Sequence, residues 1–466
     1  MIRVLLITPP APERLGAPLL GCQYIAAALL AQGCEVRVID AAASHFNHDS
    51  AWIIAEAEAF APHLVGIGLY TRWVWHAYRL VEQLIGRFPL LVAGGPHATV
   101  RPREVLEHGF HIAIAGEAEK SILRIVDWLK GRAWLANISG IHFRKSNGAI
   151  HSGPPPHPIA DLDSLPQPQG AQHLFDPHWY NPKGNEVIAG GILTSRGCPA
   201  RCTFCANYVT GRRLRLRSPS RVVDELKAWH TYSEATFFSF WDDTLTASKK
   251  RVFRLCDVLQ HEIHFNLRWT ANAQASTVTP ELFRAMRIAG CVAVNFGLES
   301  GDERILHEIG KGLTTQQAQK ALEWAKAEGL QTTCNFMLGF PQETPHSLKR
   351  SLRFMEKISP LVDNFSTMGV VVPFPGTPLY EELHERYGFT NWWLREECSR
   401  YEPLPALEPP NRFYEQYVDD PNLRLDFFHY SDEMREMIRT CLRFKAEHNL
   451  RRFGLLGKQD RPVGEA

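Results

Sequence analysis

Short apolar runs alternate with stretches of helical length through most of this chain, and that alternation limits the fold more than any other feature. Arg3–Thr8, Glu35–Asp40, His63–Leu69, Leu90–Gly94 and His111–Ala115 each read as a buried strand. Leu19–Ala31, Ala51–Phe60, Val74–Phe88 and Pro102–Glu107 separate them with helical patterns. Strands alternating with helices predict an α/β fold whose parallel sheet is covered on both faces. Residues 1–145 are therefore expected to form a flavodoxin-like or Rossmann-type sheet, with ligands at the carboxyl ends of its strands. Residues 146–185 carry Pro154, Pro155, Pro156, Pro158, Pro166, Pro168, Pro177 and Pro182, which predicts an extended, partly polyproline linker.

The alternation resumes over 186–384, with strands expected at Val187–Thr194, Ala235–Trp241, Phe265–Ala271, Val292–Leu298, Thr332–Gly339 and Asn364–Val372. Ser218-Pro219, Thr279-Pro280 and Thr344-Pro345 place a capping hydroxyl before a first-turn Pro. Thr314 and Gln317 have capping-box spacing. Six βα units predict a partial (β/α)6 barrel, with working residues at strand carboxyl ends by analogy with closed barrels. Residues 385–466 read as a small, mainly helical C-terminal region ending in a helix over Ser431–Asn449.

A net charge of +1 leaves no electrostatic footprint for nucleic acid. No apolar stretch reaches membrane-span length and the N-terminal apolar run is too short for a secretory signal, so a cytoplasmic protein without an integral membrane segment is expected. Ten Cys in 466 residues are too sparse for a disulfide framework.

Three of those Cys stand apart. Cys198, Cys202 and Cys205 fall within Cys-Pro-Ala-Arg-Cys-Thr-Phe-Cys, directly after the first barrel strand. A structural zinc site takes four ligands, and neither a fourth Cys nor a His lies close by. Three thiolates suggest a metal centre with one open position. A four-iron cluster is normally held by four Cys, so a missing ligand leaves one iron free for a small molecule.

This Cys-x3-Cys-x2-Cys loop resembles that of the radical S-adenosylmethionine enzymes. The resemblance implies that the open iron of a [4Fe-4S] cluster chelates S-adenosylmethionine and that Phe204 lies against its adenine. It also implies that reduction releases a 5′-deoxyadenosyl radical. Asp242 and Asp243, ending the second barrel strand, match positions that help hold the amino end of the cosubstrate. Phe296-Gly-Leu-Glu-Ser-Gly301 resembles a family signature in which Glu299 touches a ribose hydroxyl. Gly339-Phe-Pro-Gln-Glu-Thr344 resembles the turn near the adenine, placing Gly339 and Pro341 beside the cosubstrate. Gln342 stands where the family usually has Gly, which questions the turn's backbone geometry. Phe374-Pro-Gly-Thr-Pro-Leu-Tyr380 matches a further signature.

The N-terminal region resembles the cobalamin-binding domain attached to a large branch of these enzymes, on Gly94-Gly-Pro-His-Ala-Thr99, Gly116-Glu-Ala-Glu119 and the helix Gly21–Leu30. Tyr70, Thr71, Arg72, Gly94, Gly95, Pro96, His97, Gly116 and Glu117 become the cobalamin candidates. The chain has no Asp-x-His-x-x-Gly, so a His ligand to cobalt is not encoded, and Tyr70 or Arg72 is expected at the lower cobalt face. A second Cys trio near the N-terminus, which a methylthiotransferase needs, is lacking: only Cys22 and Cys34 lie there.

The resemblance implies a cobalamin-dependent radical S-adenosylmethionine methyltransferase acting on an unactivated carbon or a phosphinate phosphorus through methylcobalamin. A small-molecule biosynthetic intermediate would be the substrate, and a flavodoxin- or ferredoxin-like protein the electron donor. A non-methylating cyclase or ring-contracting enzyme shares every motif; a non-catalytic cluster- or cobalamin-binding regulator has no need of Asp242, Glu299 or the Gly339–Thr344 turn. Trp392, Trp393, Phe413 and Tyr414 are candidates to close over an apolar or aromatic substrate.

Overall fold

Five of the N-terminal strands form a parallel sheet in the order expected of a flavodoxin-like domain. A computed structural model describes residues 1–11, 15–180, 191–366, 369–399 and 420–452. Strands β1 (Arg3–Thr8), β2 (Glu35–Asp40), β3 (Leu64–Gly68), β4 (Leu91–Gly94) and β5 (Ile112–Ile114) run in the order 2-1-3-4-5. Val4 pairs with both Val36 and Leu64, which puts the switch of strand order at β1. Val4, Leu5, Leu64, Val65 and Leu91 are fully buried, because helices cover both faces and leave no polar side to the sheet.

The sheet extends beyond the expected five strands. An antiparallel hairpin, β6 (Ile141–Arg144) and β7 (Ile150–Ser152), joins the edge of β5. Its turn carries Asn147-Gly148, with Gly148 at φ 82°, a hairpin dipeptide legible in the sequence. Residues 153–180 are not a free linker either. Three short 3-10 helices form there, at Leu162–Ser164, Pro168–Leu174 and Pro177–Trp179. Ile159, Leu162 and Leu165 are buried against Leu20 and Tyr24, and the Gln23 amide donates to Gln172 Oε1 at 2.8 Å. The prolines exclude regular helix, yet the apolar residues between them strap the segment across the helix Leu20–Ala31. Pro182 lies outside the described residues.

The second unit is built from β10 (Phe237–Phe240), β11 (Arg268–Ala273), β12 (Cys291–Glu299), β13 (Gln331–Phe336) and β14 (Asn364–Phe365), all parallel and in sequential order. Of the expected first strand, residues 187–190 lie outside the described residues, while Ile192 bridges Phe240 in parallel. Val370 likewise extends the last strand by a bridge to Leu338. The helices Pro219–Ser233, Pro280–Ile288 and Pro345–Ile358 start as expected, with Ser218, Thr279 and Thr344 accepting a backbone N–H three residues on. Thr344 and Ser347 cap each other reciprocally. A short antiparallel pair, β8 (Ser195–Arg196) and β9 (Arg215–Leu216), closes the base of the loop that holds the three cysteines.

The C-terminal helix, Asp432–Arg452, packs against the barrel through Ile438, Cys441 and Leu442, all fully buried. Trp392 and Trp393 are each 2% exposed, and the Trp393 indole donates to both oxygens of Glu104 at 3.0 and 3.1 Å. The expectation that they cover a substrate is therefore corrected: they are core residues joining the C-terminal region to the N-terminal unit. Phe413 and Tyr414 lie outside the described residues. Among the described residues no helix is long and apolar enough to cross a membrane.

Candidate functional site

The loop between β8 and β9 folds over the carboxyl ends of the barrel strands. Gly197 opens it at φ 92°, where a side chain would collide with the Arg213 carbonyl. The Cys198 N–H donates to the Gly211 carbonyl at 3.1 Å, so the loop's two limbs are stitched together. The Thr203 N–H donates to the Ile309 carbonyl at 2.9 Å, and the Leu379 N–H to the Thr203 carbonyl at 3.0 Å. The loop's middle is thus held by two distant segments, the second of them within the Phe374–Tyr380 motif singled out in the sequence.

Cys198, Cys202 and Cys205 are free thiols that line one cavity of about 600 Å³. They do not close around a single point in the manner of a one-ion site, and among the described residues no such group of His, Cys, Asp or Glu occurs. Thiols spread around a shared space suit a cluster, in which each takes a different metal atom, better than one tetrahedral ion. Burial pushes the Cys202 thiol up and the Cys205 thiol to about 11. Both would ionise readily only beside bound positive charge.

The opposite wall comes from the strand ends. Asn272 on β11, Asn295 on β12 and Asn335 on β13 all face the cavity. Asn272 and Asn295 pair in register, and the Asn295 amide donates to Asn272 Oδ1 at 3.3 Å. These amides were not anticipated; their period-two spacing from buried neighbours on the same strands was the available signal. Glu299 ends β12 at φ 66°, a backbone conformation costly for a residue with a Cβ. Its carboxylate accepts from Lys311 Nζ at 2.9 Å, and both groups line the cavity. Burial acts to lower the Lys311 pKa, but Glu299 and Cys202 outweigh it and hold the ammonium above its usual range. Such strain at a cavity wall points to a functional placement. Phe204 also lines the cavity, its ring 5.4 Å from that of Phe340.

Other expected residues lie elsewhere. Asp242 is fully buried and accepts from the Thr194 N–H at 3.1 Å, the Thr194 hydroxyl at 2.7 Å and the Ser195 hydroxyl. It ties the start of the cysteine loop to β10 and does not face the cavity. Its neighbour Asp243 does, and accepts from the Thr210 hydroxyl at 3.2 Å. Gly339 and Pro341 are also absent from the cavity wall. The Tyr430 phenol donates to the Gly339 carbonyl at 2.5 Å and fills the space beside Gly339 that a side chain would need. Gln342 has no positive φ, so the turn closes without the glycine that its family pattern places there. Glu343 supplies the order instead, accepting from the Gly339 and Phe340 N–H groups at 2.6 and 3.1 Å.

A second cavity, of about 300 Å³, lies at the carboxyl ends of β1, β3, β4 and β5. Of the cobalamin candidates, Tyr70, Gly94, Gly95, Pro96, Gly116 and Glu117 line it. Gly95, at φ 97°, allows the chain to pass the Leu69 carbonyl. At Gly21, Gly68 and Gly94 an added Cβ would meet nothing within 4 Å, so the floor is open to a flat ligand. Thr71, Arg72 and His97 do not reach it. His97 is fully buried between the Thr71 hydroxyl, 3.1 Å from Nδ1, and Glu104, 3.0 Å from Nε2. Arg72 turns away to donate to Asn422 at 3.0 Å. The outer wall belongs to the barrel unit, as Leu193, Arg196, Val209 and Thr210. The cysteine loop therefore lines both cavities.

The family model described as the radical SAM superfamily matches residues 192–355, and that of the B12 binding domain matches residues 16–126. An uncharacterised methyltransferase of Pyrococcus horikoshii is 32% identical over 393 residues, covering 82% of this chain and 83% of the relative. The anaerobic magnesium-protoporphyrin IX monomethyl ester cyclase of Rubrivivax gelatinosus is 25% identical over 373 residues, covering 78% of this chain and 66% of that enzyme. Among solved structures, the cobalamin-dependent S-adenosylmethionine radical enzyme OxsB with aqua-cobalamin bound superposes with a TM-score of 0.73. It is 15% identical, with 99% of this chain and 82% of that chain covered.

Proposed function

The chain belongs to the radical S-adenosylmethionine enzymes that carry a B12-binding domain, and from that membership we propose that it is a cobalamin-dependent methyltransferase of a small-molecule intermediate. One observation carries the reading: a single loop presents three free thiols to one cavity and its outer side to an open-floored, glycine-lined second cavity. When bound, a [4Fe-4S] cluster supplies an electron to S-adenosylmethionine, and cobalamin serves as the methyl carrier.

The residues present fit those groups. Cys198, Cys202 and Cys205 would hold the cluster through three thiolates and leave one iron without a protein ligand. Glu299, fixed by Lys311, offers a carboxylate to a hydroxyl or ammonium group of the cosubstrate, and Asn272, Asn295 and Asn335 offer amide donors and acceptors beside it. Phe204, backed by the buried Phe340 ring, gives the cavity an aromatic face on which an adenine can rest. Asp243 takes the place expected of Asp242, since it alone of the pair reaches the cavity. Tyr70 stands at the corrin cavity, leaving it and not Arg72 as the candidate for the lower cobalt face. The need for an electron and for reduced cluster thiols supports, within this proposal, a reducing cytoplasmic setting and a flavodoxin- or ferredoxin-like donor.

Purification without oxygen, with iron and hydroxocobalamin supplied, tests the reading by counting metals. About four irons per chain with stoichiometric cobalt, and both 5′-deoxyadenosine and S-adenosylhomocysteine formed from S-adenosylmethionine, are the expected results. The similarity to the magnesium-protoporphyrin cyclase favours one other reading, a non-methylating reaction. Deoxyadenosine without S-adenosylhomocysteine would select it, and iron without cobalt would reject the methyltransferase.

A further inference from the structure

The two arginines at the base of the cysteine loop are held by the other domain. Arg196 donates to Glu117 Oε1 at 3.1 Å and to Glu119 Oε1 at 2.6 Å. Arg215 donates to Glu117 Oε2 and Oε1 at 2.7 and 2.8 Å, and to the Ile159 and Thr210 carbonyls at 2.7 and 2.9 Å. The Ile159 N–H completes the set with a 2.6 Å bond to Glu117 Oε2. Arg196 also lies over the Tyr24 ring at 4.9 Å. The four charged side chains are 2–7% exposed, and two carboxylates balance two guanidinium groups.

Their placement is informative. Glu117 and Glu119 follow β5 and stand at the rim of the second cavity, while Arg196 is two residues before Cys198. Arg196 and Arg215 face each other across the β8–β9 pair that closes the loop. Inside the loop, the Thr210 hydroxyl donates to Asn207 at 2.6 Å and sits 3.2 Å from Asp243. Thr210 lines the second cavity, whereas Asn207 and Asp243 line the first. Both oxygens of Glu117 are engaged by arginines, so the carboxylate is not free to serve as the cobalamin contact expected of it.

We propose that Glu117 and Glu119 are positioning residues: by gripping Arg196 and Arg215 they fix the cysteine loop to the N-terminal domain and set the separation of the two cavities. This bears on catalysis only on the two-cofactor reading above, in which a radical formed at one cavity must meet a group carried in the other. A displacement of about 1 Å between such centres can cost roughly a hundredfold in rate. A buried, bidentate, charge-balanced joint is the kind of contact that holds distance and angle together.

Glu117→Gln and Glu119→Gln test the joint with two readouts. In the cofactor-free chain, hydrogen exchange of amides within 195–216 should accelerate by about a hundredfold or more in Glu117→Gln, from the loss of one partner of buried pairs. The barrel strands β11–β13 should keep wild-type exchange. Glu119→Gln, which frees one bond of Arg196, should give a smaller change in the same segment. In chains carrying iron and hydroxocobalamin, the distance between the reduced cluster and cob(II)alamin, read by pulsed electron paramagnetic resonance, should broaden in both variants. Wild-type exchange across 195–216 with an unaltered distance would overturn the proposal. So would acceleration spread evenly over the whole chain, or failure of both variants to fold, since each marks a purely structural role. A wild-type protein that binds no cobalt would sink the functional reading and leave the exchange comparison standing.

Discussion

Replacing Asp242 by Asn separates two roles that the same carboxylate could play. In the structure Asp242 accepts three hydrogen bonds, from the Thr194 N–H, the Thr194 hydroxyl and the Ser195 hydroxyl, while fully buried. Its charge also acts on Arg251, which burial alone would push to lose its proton and whose guanidinium donates to the Thr194 carbonyl at 2.6 Å. Hydrogen bonds to a charged acceptor contribute about 1.5–3 kcal/mol each. An Asn oxygen can keep two of the three, without the charge, while its NH2 faces a donor. One charged bond lost and two weakened give a destabilisation of about 2–4 kcal/mol. Urea unfolding of the cofactor-free protein, compared with Asp243→Asn, measures it. Asp243 is exposed and its carboxylate takes a 3.2 Å bond from the Thr210 hydroxyl and a backbone bond from Gly197, so its change should stay within about 1 kcal/mol. If Asp242→Asn unfolds like the wild type but binds S-adenosylmethionine more weakly, the carboxylate is a cosubstrate ligand after all and the buried-anchor reasoning is wrong.

Further outcomes follow from the same geometry. Single Cys→Ala changes at 198, 202 or 205 should abolish deoxyadenosine formation; continued formation in any of them would contradict the cluster assignment. Glu343 is buried, and desolvation pushes its pKa up to about 8 from an ordinary 4.5. The folded state then holds a proton that the unfolded chain releases, so this group's contribution is full below about pH 4.5 and declines until about pH 8. Glu343→Gln, uncharged at every pH, should remove up to roughly 4 kcal/mol of that decline, which denaturant titrations at pH 5, 6.5 and 8 would reveal as similar stabilities at the acid end and a variant more stable than the wild type at the alkaline end. Trp393→Ala should cost about 3–5 kcal/mol of stability, visible as a lowered unfolding midpoint; an unchanged midpoint with weaker substrate binding would restore the substrate-cover role.

Local chemistry determined much of this protein. Continuous apolar runs of strand length, separated by helix-length segments, specify buried parallel strands because both faces of such a sheet are covered. Hydroxyl-Pro starts fix helix boundaries at Ser218, Thr279 and Thr344 through bonds spanning three residues. The cysteine spacing marks its own chemistry, since the thiols need only one loop to meet. What the sequence withheld depends on partners far along the chain. Asp242 and Asp243 are adjacent and alike, yet the chain leaving β10 turns one into the packing beneath Thr194 and the other to the cavity. Gly339 matches its motif, but Tyr430, 91 residues on, occupies the space beside it. His97 became a buried link between Thr71 and Glu104 because the core had donors and acceptors to satisfy. Arg196 and Arg215 look like surface charge in a basic loop until the fold brings Glu117 and Glu119 against them. Pairwise contacts at such separations follow from packing, which no local spacing encodes.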